Sequence, residues 1–241
     1  NNTVLAVFGD IDPKQVLRSI QQPFGSWRRH DVAWTAAAPA PELTAVQQVS
    51  LQLPKEQAVV MLGFRGTSLT APDRYAVDLM TAILSGMSGR LFQGIRERYG
   101  FSYALGASHG PGGDPGSLVV YAATRPQERE QVARLMQEEL RRLATDGVTD
   151  EELHQATRHL IGLHRLDLQN LAGLSRQSTL DELYGLGYEA WRQYEMRLQA
   201  VSRDDIARVA QQYLTFSRHA EVVIAPLPGA DLNDAPRLLH Y

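Results

Sequence analysis

The chain has 241 residues, a formal net charge of −3 and no cysteine, and 44% of its residues are hydrophobic. A chain of this length can bury a normal core. The lack of cysteine excludes disulfides, thiolate zinc sites and cysteine nucleophiles. No basic block is interleaved with aromatic residues, and no apolar run approaches the ~18 residues of a membrane span, so the sequence predicts neither nucleic-acid binding nor a spanning helix.

The first residues, Asn1-Asn2-Thr3-Val4, include neither an initiator methionine nor the layout of a signal peptide. We therefore interpret the chain as part of a longer protein whose targeting signal would lie upstream, and the sequence does not distinguish periplasm from cytoplasm. An apolar run at residues 3–8 predicts a buried strand. Asp12 as N-cap and Pro13 at the first helical position predict a helix to about Gln22, which the stretch Pro23-Phe24-Gly25 stops.

The composition changes after this strand and helix. The Ala/Pro stretch at residues 36–41 predicts an extended linker, because the residue before a proline avoids the helical conformation. A strand and one helix cannot bury a core, so we interpret residues 1–25 as the end of a preceding homologous domain. A weak similarity between TVLAVFGD at the start and AEVVIAPLP at the end is compatible with such a repeat. The other predicted boundaries are 26–44 for the linker, 45–230 for one folded repeat and 231–241 for a tail.

Strand and helix signals follow the linker. The predicted strands cover residues 45–53, 57–64, 101–109, 118–123 and 221–225, and the predicted helices cover residues 74–85, 88–99, 127–144, 150–170, 175–184, 188–200 and 202–214. Thr149 with Glu152 forms a predicted capping box, and Ser202 with Asp205 marks the start of the last helix.

The sheet can also be predicted in outline. The apolar run AVVMLGF in the second strand indicates a strand covered on both faces. A glycine- and proline-rich turn at residues 109–116 predicts that the third and fourth strands are antiparallel. Together the elements predict an α+β fold, in which a predominantly antiparallel sheet carries its helices mainly on one side.

Histidines are the candidate metal ligands of a chain without cysteine. Two ligands on one helical face need i,i+3 or i,i+4 spacing, whereas His154, His159 and His164 are five residues apart and each is turned by about 140° from the last. Neither His-x-x-Glu-His nor His-Glu-x-x-His occurs, and Glu151 with His154 is only half of a carboxylate-bridged pattern. The sequence therefore predicts no metal site in this chain.

A glycine-rich stretch precedes the predicted helix at residues 88–99. Gly86, Ser88 and Gly89 are similar to a Gly-x-Ser-x-Gly nucleophile elbow, but the last glycine comes one position early and no strand leads into the turn. The spacing matches neither of the phosphate-binding glycine motifs. We interpret these residues as a turn that opens the helix.

The helix after this turn and the next strand carry a cation and a phenol seven residues apart. Phe92, Ile95 and Tyr99 form an apolar stripe at i, i+3 and i+7, and Arg96 lies one position off it. A guanidinium from Arg96 and a phenol from Tyr103 that converge on a carbonyl oxygen could stabilise an oxyanion. The residues alone leave open a structural alternative, namely a solvated or ion-paired helix end beside a half-buried strand tyrosine.

The motif Gly-Met-Ser-Gly-Arg-Leu-Phe-Gln-x-Ile-Arg-Glu-Arg-x-Gly-x-Ser-Tyr, at residues 86–103, resembles the non-zinc repeat of the insulinase/pitrilysin-type zinc metallopeptidases, which include the mitochondrial processing peptidases. Residues 4–13, 72–75, 147–152 and 202–214 also resemble the family and follow its order, so the resemblance covers nearly the whole chain. It implies one half of a clamshell of two homologous α+β repeats.

In that family the first repeat binds zinc through His-x-x-Glu-His, and the second repeat binds none. The second repeat contributes an arginine and a tyrosine that hold the substrate backbone and the tetrahedral intermediate, and the resemblance places these roles on Arg96 and Tyr103. The turn at residues 85–89 is shorter than the recognition loop of the processing peptidases, which argues against presequence recognition. The resemblance thus implies a peptide substrate, zinc in a partner domain or subunit, and no hydrolysis by this chain alone.

Two other functions remain open at this point. One is a catalytically inert structural or assembly subunit of the same fold. The other is a small-molecule enzyme built on the loop at residues 110–116, which a metabolite near His109 would favour. In the isolated chain, residues 1–22 either pack on this domain or exchange with a neighbouring copy in a homodimer.

Overall fold

The structure is a computed structural model that describes residues 3–30, 40–112 and 115–227. The backbone divides into two compact units, Asn1–Pro39 with Ile161–Arg197 and Ala40–Leu160 with Leu198–Tyr241. The predicted tail at 231–241 and residues 31–39 of the predicted Ala/Pro linker lie outside the described residues. The domain boundaries drawn from the sequence stay a prediction.

The second unit contains a five-stranded sheet in the order β1-β5-β2-β4-β3. Its strands are β1 (Gln47–Leu53), β2 (Ala58–Arg65), β3 (Ser102–Gly110), β4 (Ser117–Thr124) and β5 (Ala220–Pro226). β1 pairs with β5 in parallel, and the other three pairs are antiparallel. The predicted α+β fold and its predominantly antiparallel sheet are confirmed.

Most of the regular structure outside the sheet is helical. The helices are α1 (Pro13–Phe24), α2 (Arg74–Leu84), a helix over residues 90–99 that we call the site helix, α3 (Arg129–Asp146), α4 (Asp150–Asp167), α5 (Leu171–Leu183), α6 (Tyr194–Gln199) and α7 (Arg203–Tyr213), with short 3₁₀ turns at Pro126–Glu128 and Ala190–Gln193. In the part of the chain that the structure describes, none of them has the length and apolar composition of a membrane-spanning helix.

Helices cover one face of the sheet. α3 packs against β2 and β4, α2 packs against β3, and α7 packs against both of these helices. Burial alternates along β2, where Ala58, Val60, Leu62 and Phe64 are buried and the residues between them are partly exposed. The prediction that this strand is covered on both faces is therefore wrong. An apolar run shows that a strand is compatible with burial, but it does not show how many layers pack on it.

Capping side chains fix the starts of α4 and α7. Thr149 N donates to Glu152 Oε2 at 2.8 Å, and Glu152 N donates to Thr149 Oγ1 at 3.2 Å. Ser202 and Asp205 make the same reciprocal pair at the start of α7. Each pair satisfies two backbone donors that a helix start leaves free, and both predicted signals are confirmed.

The first unit includes α1 and the segment before it. Residues 3–8 form no strand, and Leu5 and Val7 are 58% and 44% exposed. The predicted buried strand is wrong, because an extended segment satisfies its backbone groups only beside a partner strand. Asp12 accepts from Lys14 N at 2.9 Å and caps α1 as predicted. Pro23 lies in the last turn of α1, which ends at Phe24 with Gly25 as its C-cap, within the predicted stop at residues 23–25.

Candidate functional site

The site helix is held at its first residue. Arg90 Nε and Nη2 donate to the two carboxylate oxygens of Glu152 at 2.6 and 2.9 Å, and Nη2 also donates to Gly147 O at 2.8 Å. The Arg90 hydrogen bonds, helped by donors of Thr149, lower the pKa of Glu152 from 4.5 to about 2. A bidentate pair of this kind fixes geometry as well as energy. The site helix is thereby tied to the start of α4.

The middle of the site helix, Phe92–Glu97, is π-helical. Ile95 is fully buried in this wider turn, while Arg96 beside it is partly exposed. Gly100 then ends the helix with a φ of +67°, a conformation that glycine adopts without strain. π-Helical turns are rare and are frequent at functional sites, because the wide turn redirects side chains. The turn that contains Arg96 is thus one irregular element of the site.

A β-bulge at the start of β3 is the second irregular element. Ser102 pairs with Thr124 and Ala104 pairs with Ala123, which leaves Tyr103 as the extra residue of the strand. Ser102 Oγ lies 2.7 Å from Ala123 O and 3.0 Å from Ala104 O, so the hydroxyl supports the bulge. Tyr103 is 77% exposed as a result. Bulges commonly re-aim a side chain in this way next to active sites.

These two irregular elements bring Arg96 and Tyr103 together. The guanidinium carbon of Arg96 lies 5.5 Å from the centre of the Tyr103 ring and 4.8 Å from that of Phe92. Both distances are typical of cation–π contacts. No carboxylate of the described residues lies within 4.0 Å of the Arg96 guanidinium, so its N–H groups are available to a ligand.

A second cation stands close to Tyr103. Arg125 follows β4, and its guanidinium binds both carboxylate oxygens of Glu128, with Nε to Oε2 at 2.9 Å. These hydrogen bonds are the main reason that the pKa of Arg125 is raised, the charge of Glu128 adds to them, and an electrostatic effect of the nearby Tyr103 contributes least. The sequence analysis missed Arg125, because an arginine after a strand belongs to no motif. Only the strand pairing shows that it is near Tyr103.

A model of the peptidase M16 inactive domain matches residues 1–160. The chain belongs to this family. It is 32% identical over 241 residues to an uncharacterized zinc protease of Streptomyces coelicolor, in an alignment that covers 96% of this chain and 52% of that protein. The inactive domain spans about half the length of the curated relatives that it matches. The predicted membership of a zinc metallopeptidase family, as its non-zinc repeat, is confirmed.

Solved structures agree with this fold. The inactive domain superposes on a peptidase M16 inactive domain from Pseudomonas fluorescens with a TM-score of 0.73 at 22% identity, covering 83% of this chain and 48% of that one. It also superposes on a mutant of the ferredoxin protease FusC, solved in complex with Arabidopsis ferredoxin, with a TM-score of 0.71 at 11% identity, covering 90% of this chain and 24% of that one. At these identities the likeness concerns the fold alone.

The glycine turn at residues 86–89 serves the backbone and does not form a site with Arg96 and Tyr103. Gly86 has a φ of +79°, and a side chain at Gly89 would collide with Ser85 O, so both glycines serve the turn. The turn forms one wall of a cavity of about 380 Å³ whose other wall is α4, and neither Arg96 nor Tyr103 lines it. Ser88 is exposed, and no hydrogen bond joins it to a histidine in the described part of the chain.

The candidate metal ligands among the described residues of the inactive domain do not form a cluster. No group of three histidine, aspartate or glutamate side chains is arranged there to hold a metal ion. His154 and His159 are exposed on α4, and His164 Nε2 lies 3.1 Å from Trp191 O. The residues that the structure describes therefore do not form a zinc site.

The sequence analysis named His109 beside a candidate loop but missed its buried hydrogen bonds. His109, at the far end of β3 from Tyr103, has a side chain that is 1% exposed, and its Nδ1 lies 2.6 Å from Asp78 Oδ1. Its Nε2 lies 3.0 Å from Thr67 Oγ1 and accepts the Thr67 backbone N–H at 3.3 Å. Because Nε2 accepts, the proton is on Nδ1, and this N–H donates a hydrogen bond to Asp78 Oδ1. This buried group ties β3 to α2, and we assign it to stability.

Proposed function

We propose that this inactive domain is the substrate-holding half of a zinc-dependent metalloendopeptidase. In this proposal Arg96 and Tyr103 hold the backbone carbonyl of a bound polypeptide, and zinc is bound by another domain or subunit. The observation that carries it is the meeting of the two side chains: a π-helical turn and a β-bulge, in separate elements, place the guanidinium 5.5 Å from the phenol ring. Irregular backbone that serves one shared point favours a functional role over a structural one.

The chemistry of the pair suits a carbonyl oxygen that gains charge. Arg96 offers planar N–H donors, and Tyr103 offers one O–H donor beside them. Both side chains reach solvent, so a peptide can approach them. Donors that are already in place when the oxygen becomes an oxyanion stabilise the transition state more than the ground state. We therefore assign the pair to transition-state stabilisation.

The comparisons support a protein in which this half holds the substrate and another half binds zinc. The chain spans about half of relatives that are named zinc proteases, which leaves room in such proteins for a zinc-bearing half. FusC, which shares the fold, was solved with a protein bound, and this favours a polypeptide as the substrate class.

The proposal is tested by proteolysis in the full-length protein, or with the zinc-bearing half added as a separate chain. Arg96→Ala is expected to lower kcat/KM for a quenched peptide by about 10²–10³, the usual cost of losing an oxyanion donor. Arg134→Ala, which removes an exposed arginine of α3, is the matched control and is expected to leave kcat/KM within about twofold of wild type.

Two results would contradict the proposal. If Arg96→Ala behaves like Arg134→Ala, the pair does not act on the substrate. If the wild-type full-length protein cleaves no peptide and binds none, the inert structural subunit becomes the better account of the fold.

We further propose that residues 1–25 belong to a preceding homologous domain. α1 buries none of its residues, and Leu17 is 56% exposed, which is compatible with a missing partner surface. In isolation the chain is then expected to self-associate through this segment. Light scattering of the chain with and without residues 1–25 is the test, and a monomer in both cases would contradict the idea.

A further inference from the structure

The pairing of β3 with β4 places Tyr103 and Arg125 at the same end of the two strands. Ser102 and Thr124 are opposite each other and are buried on the helix-covered face. Tyr103 is the bulged residue beside the Ala104–Ala123 pair, and Arg125 directly follows Thr124, so both lie where β3 begins and β4 ends, and neither shares the burial of Ser102 and Thr124. They are diagonal neighbours across the two strands, a spacing that long side chains bridge. The phenol therefore lies within reach of two guanidinium groups.

The guanidinium groups of Arg96 and Arg125 differ in which of their N–H donors remain free to bind a ligand. Arg96 is stacked on the rings of Phe92 and Tyr103, and stacking occupies its face while its edge N–H groups stay open. Arg125 uses Nε and Nη2 on Glu128, which holds the group in place and leaves its other N–H donors unused. Planar guanidinium edges of this kind bind carboxylates with two parallel hydrogen bonds.

We propose that Arg96 and Arg125 together form a carboxylate-binding subsite, and that this domain prefers polypeptides with a carboxylate next to the segment that Tyr103 contacts. The inference rests on the proposed function, since it assumes that a polypeptide occupies the site. It adds Arg125 as a specificity-determining residue. The carboxylate is that of an acidic side chain or of the peptide's C-terminus, because both present the same pair of oxygens.

Binding to the chain itself tests the subsite without any proteolysis. Fluorescence anisotropy is measured with matched short peptides: one amidated peptide with a single aspartate, its asparagine counterpart, and the asparagine peptide with a free C-terminus. We expect either the aspartate or the free C-terminus to tighten binding about threefold to tenfold, the range between exposed ion pairs and charge-assisted hydrogen bonds. Which of the two does so identifies the source of the carboxylate.

Substitutions localise the effect. Arg125→Gln is expected to reduce that preference to about twofold or less while leaving the neutral peptide's affinity within about twofold. Arg134→Gln removes the same charge from α3 and is expected to leave the preference unchanged. Arg125→Lys keeps the charge, so a retained preference in that variant argues for the charge itself.

The outcomes separate this inference from the proposed function. If the charged and neutral peptides bind equally and Arg96→Ala weakens both, the carboxylate subsite is wrong and peptide holding stands. If the preference persists in Arg125→Gln, Arg125 is not part of the subsite. If no peptide binds the chain, or if Arg96→Ala changes no affinity, the subsite fails, and proteolysis by the full-length Arg96→Ala protein still decides the proposed function separately.

Discussion

The two ends of β3 differ in how far their side chains are buried. At its start, Tyr103 protrudes from a bulge, is 77% exposed and contacts the guanidinium of Arg96. At its other end, the side chain of His109 is 1% exposed and is fixed between Asp78 and Thr67. One end of the strand thus contributes to stability through a buried side chain, and the other end presents an exposed side chain to solvent. Functional groups are commonly drawn from such weakly packed positions, because a tightly packed group cannot reach a ligand.

The strongest test of this division compares neighbours in one turn of the site helix. Ile95→Ala is expected to lower the free energy of unfolding by about 2–5 kcal/mol, because it opens a cavity beneath a fully buried residue. Arg96→Ala is expected to cost about 1 kcal/mol or less, the value of its contacts with two rings. Urea unfolding followed by circular dichroism measures both, and equal losses would show that Arg96 is structural.

The contribution of the buried end of β3 to stability can be tested by removing Asp78, the carboxylate that binds His109. Asp78→Ala removes the acceptor of the His109 Nδ1–H and is expected to cost about 2–3 kcal/mol of unfolding free energy. Glu138→Ala, an exposed carboxylate of α3, is the control and should stay within about 0.5 kcal/mol of wild type. A small effect of Asp78→Ala would mean that water replaces the carboxylate.

The Arg90–Glu152 pair that holds the site helix predicts a dependence on pH. The pKa of Glu152 falls from 4.5 to about 2 on folding, so the unfolded chain binds the proton more readily. Its stabilising contribution is complete above about pH 5 and is lost as the pH falls through 4.5 toward 2. We expect a loss of about 1–2 kcal/mol, because partial exposure of Glu152 weakens the pair.

Unfolding of Glu152→Gln at pH 7 and at pH 3 checks this dependence. The variant is expected to be less stable at pH 7 and to lose less stability than wild type on acidification. Glu138→Gln is the matched control and should follow the wild-type profile. A Glu152→Gln variant with the full wild-type pH dependence would contradict the assignment.

Local patterns were sufficient to predict most of the fold. The capping signals at Thr149 and Ser202 and the antiparallel pair β3–β4 all follow from residues that are close in the chain. The failures depend on distant partners. The segment at residues 3–8 has the composition of a strand but pairs with no other strand of the described residues. The strand β2 has the composition of a strand packed between two layers, but it is buried on one face only.

The site was predictable only in part. The seven-residue spacing and the family motif indicated Arg96 and Tyr103, but the π-helical turn and the bulge that aim them arise from packing. His109 pairs with Asp78, 31 positions away in the chain, and Arg125 comes near Tyr103 only through the register of β4 with β3. Neither contact has a local sequence signal.

The most direct test of the division is a pair of measurements on Tyr103→Phe, which keeps the ring over Arg96 and removes only the hydroxyl. In the full-length protein we predict that kcat/KM for a quenched peptide falls by about 10²–10³. The unfolding free energy of the same variant is expected to stay within about 0.5 kcal/mol of wild type, because the hydroxyl is solvent-exposed. A variant that keeps kcat/KM within about twofold of wild type would contradict the account, whatever its stability.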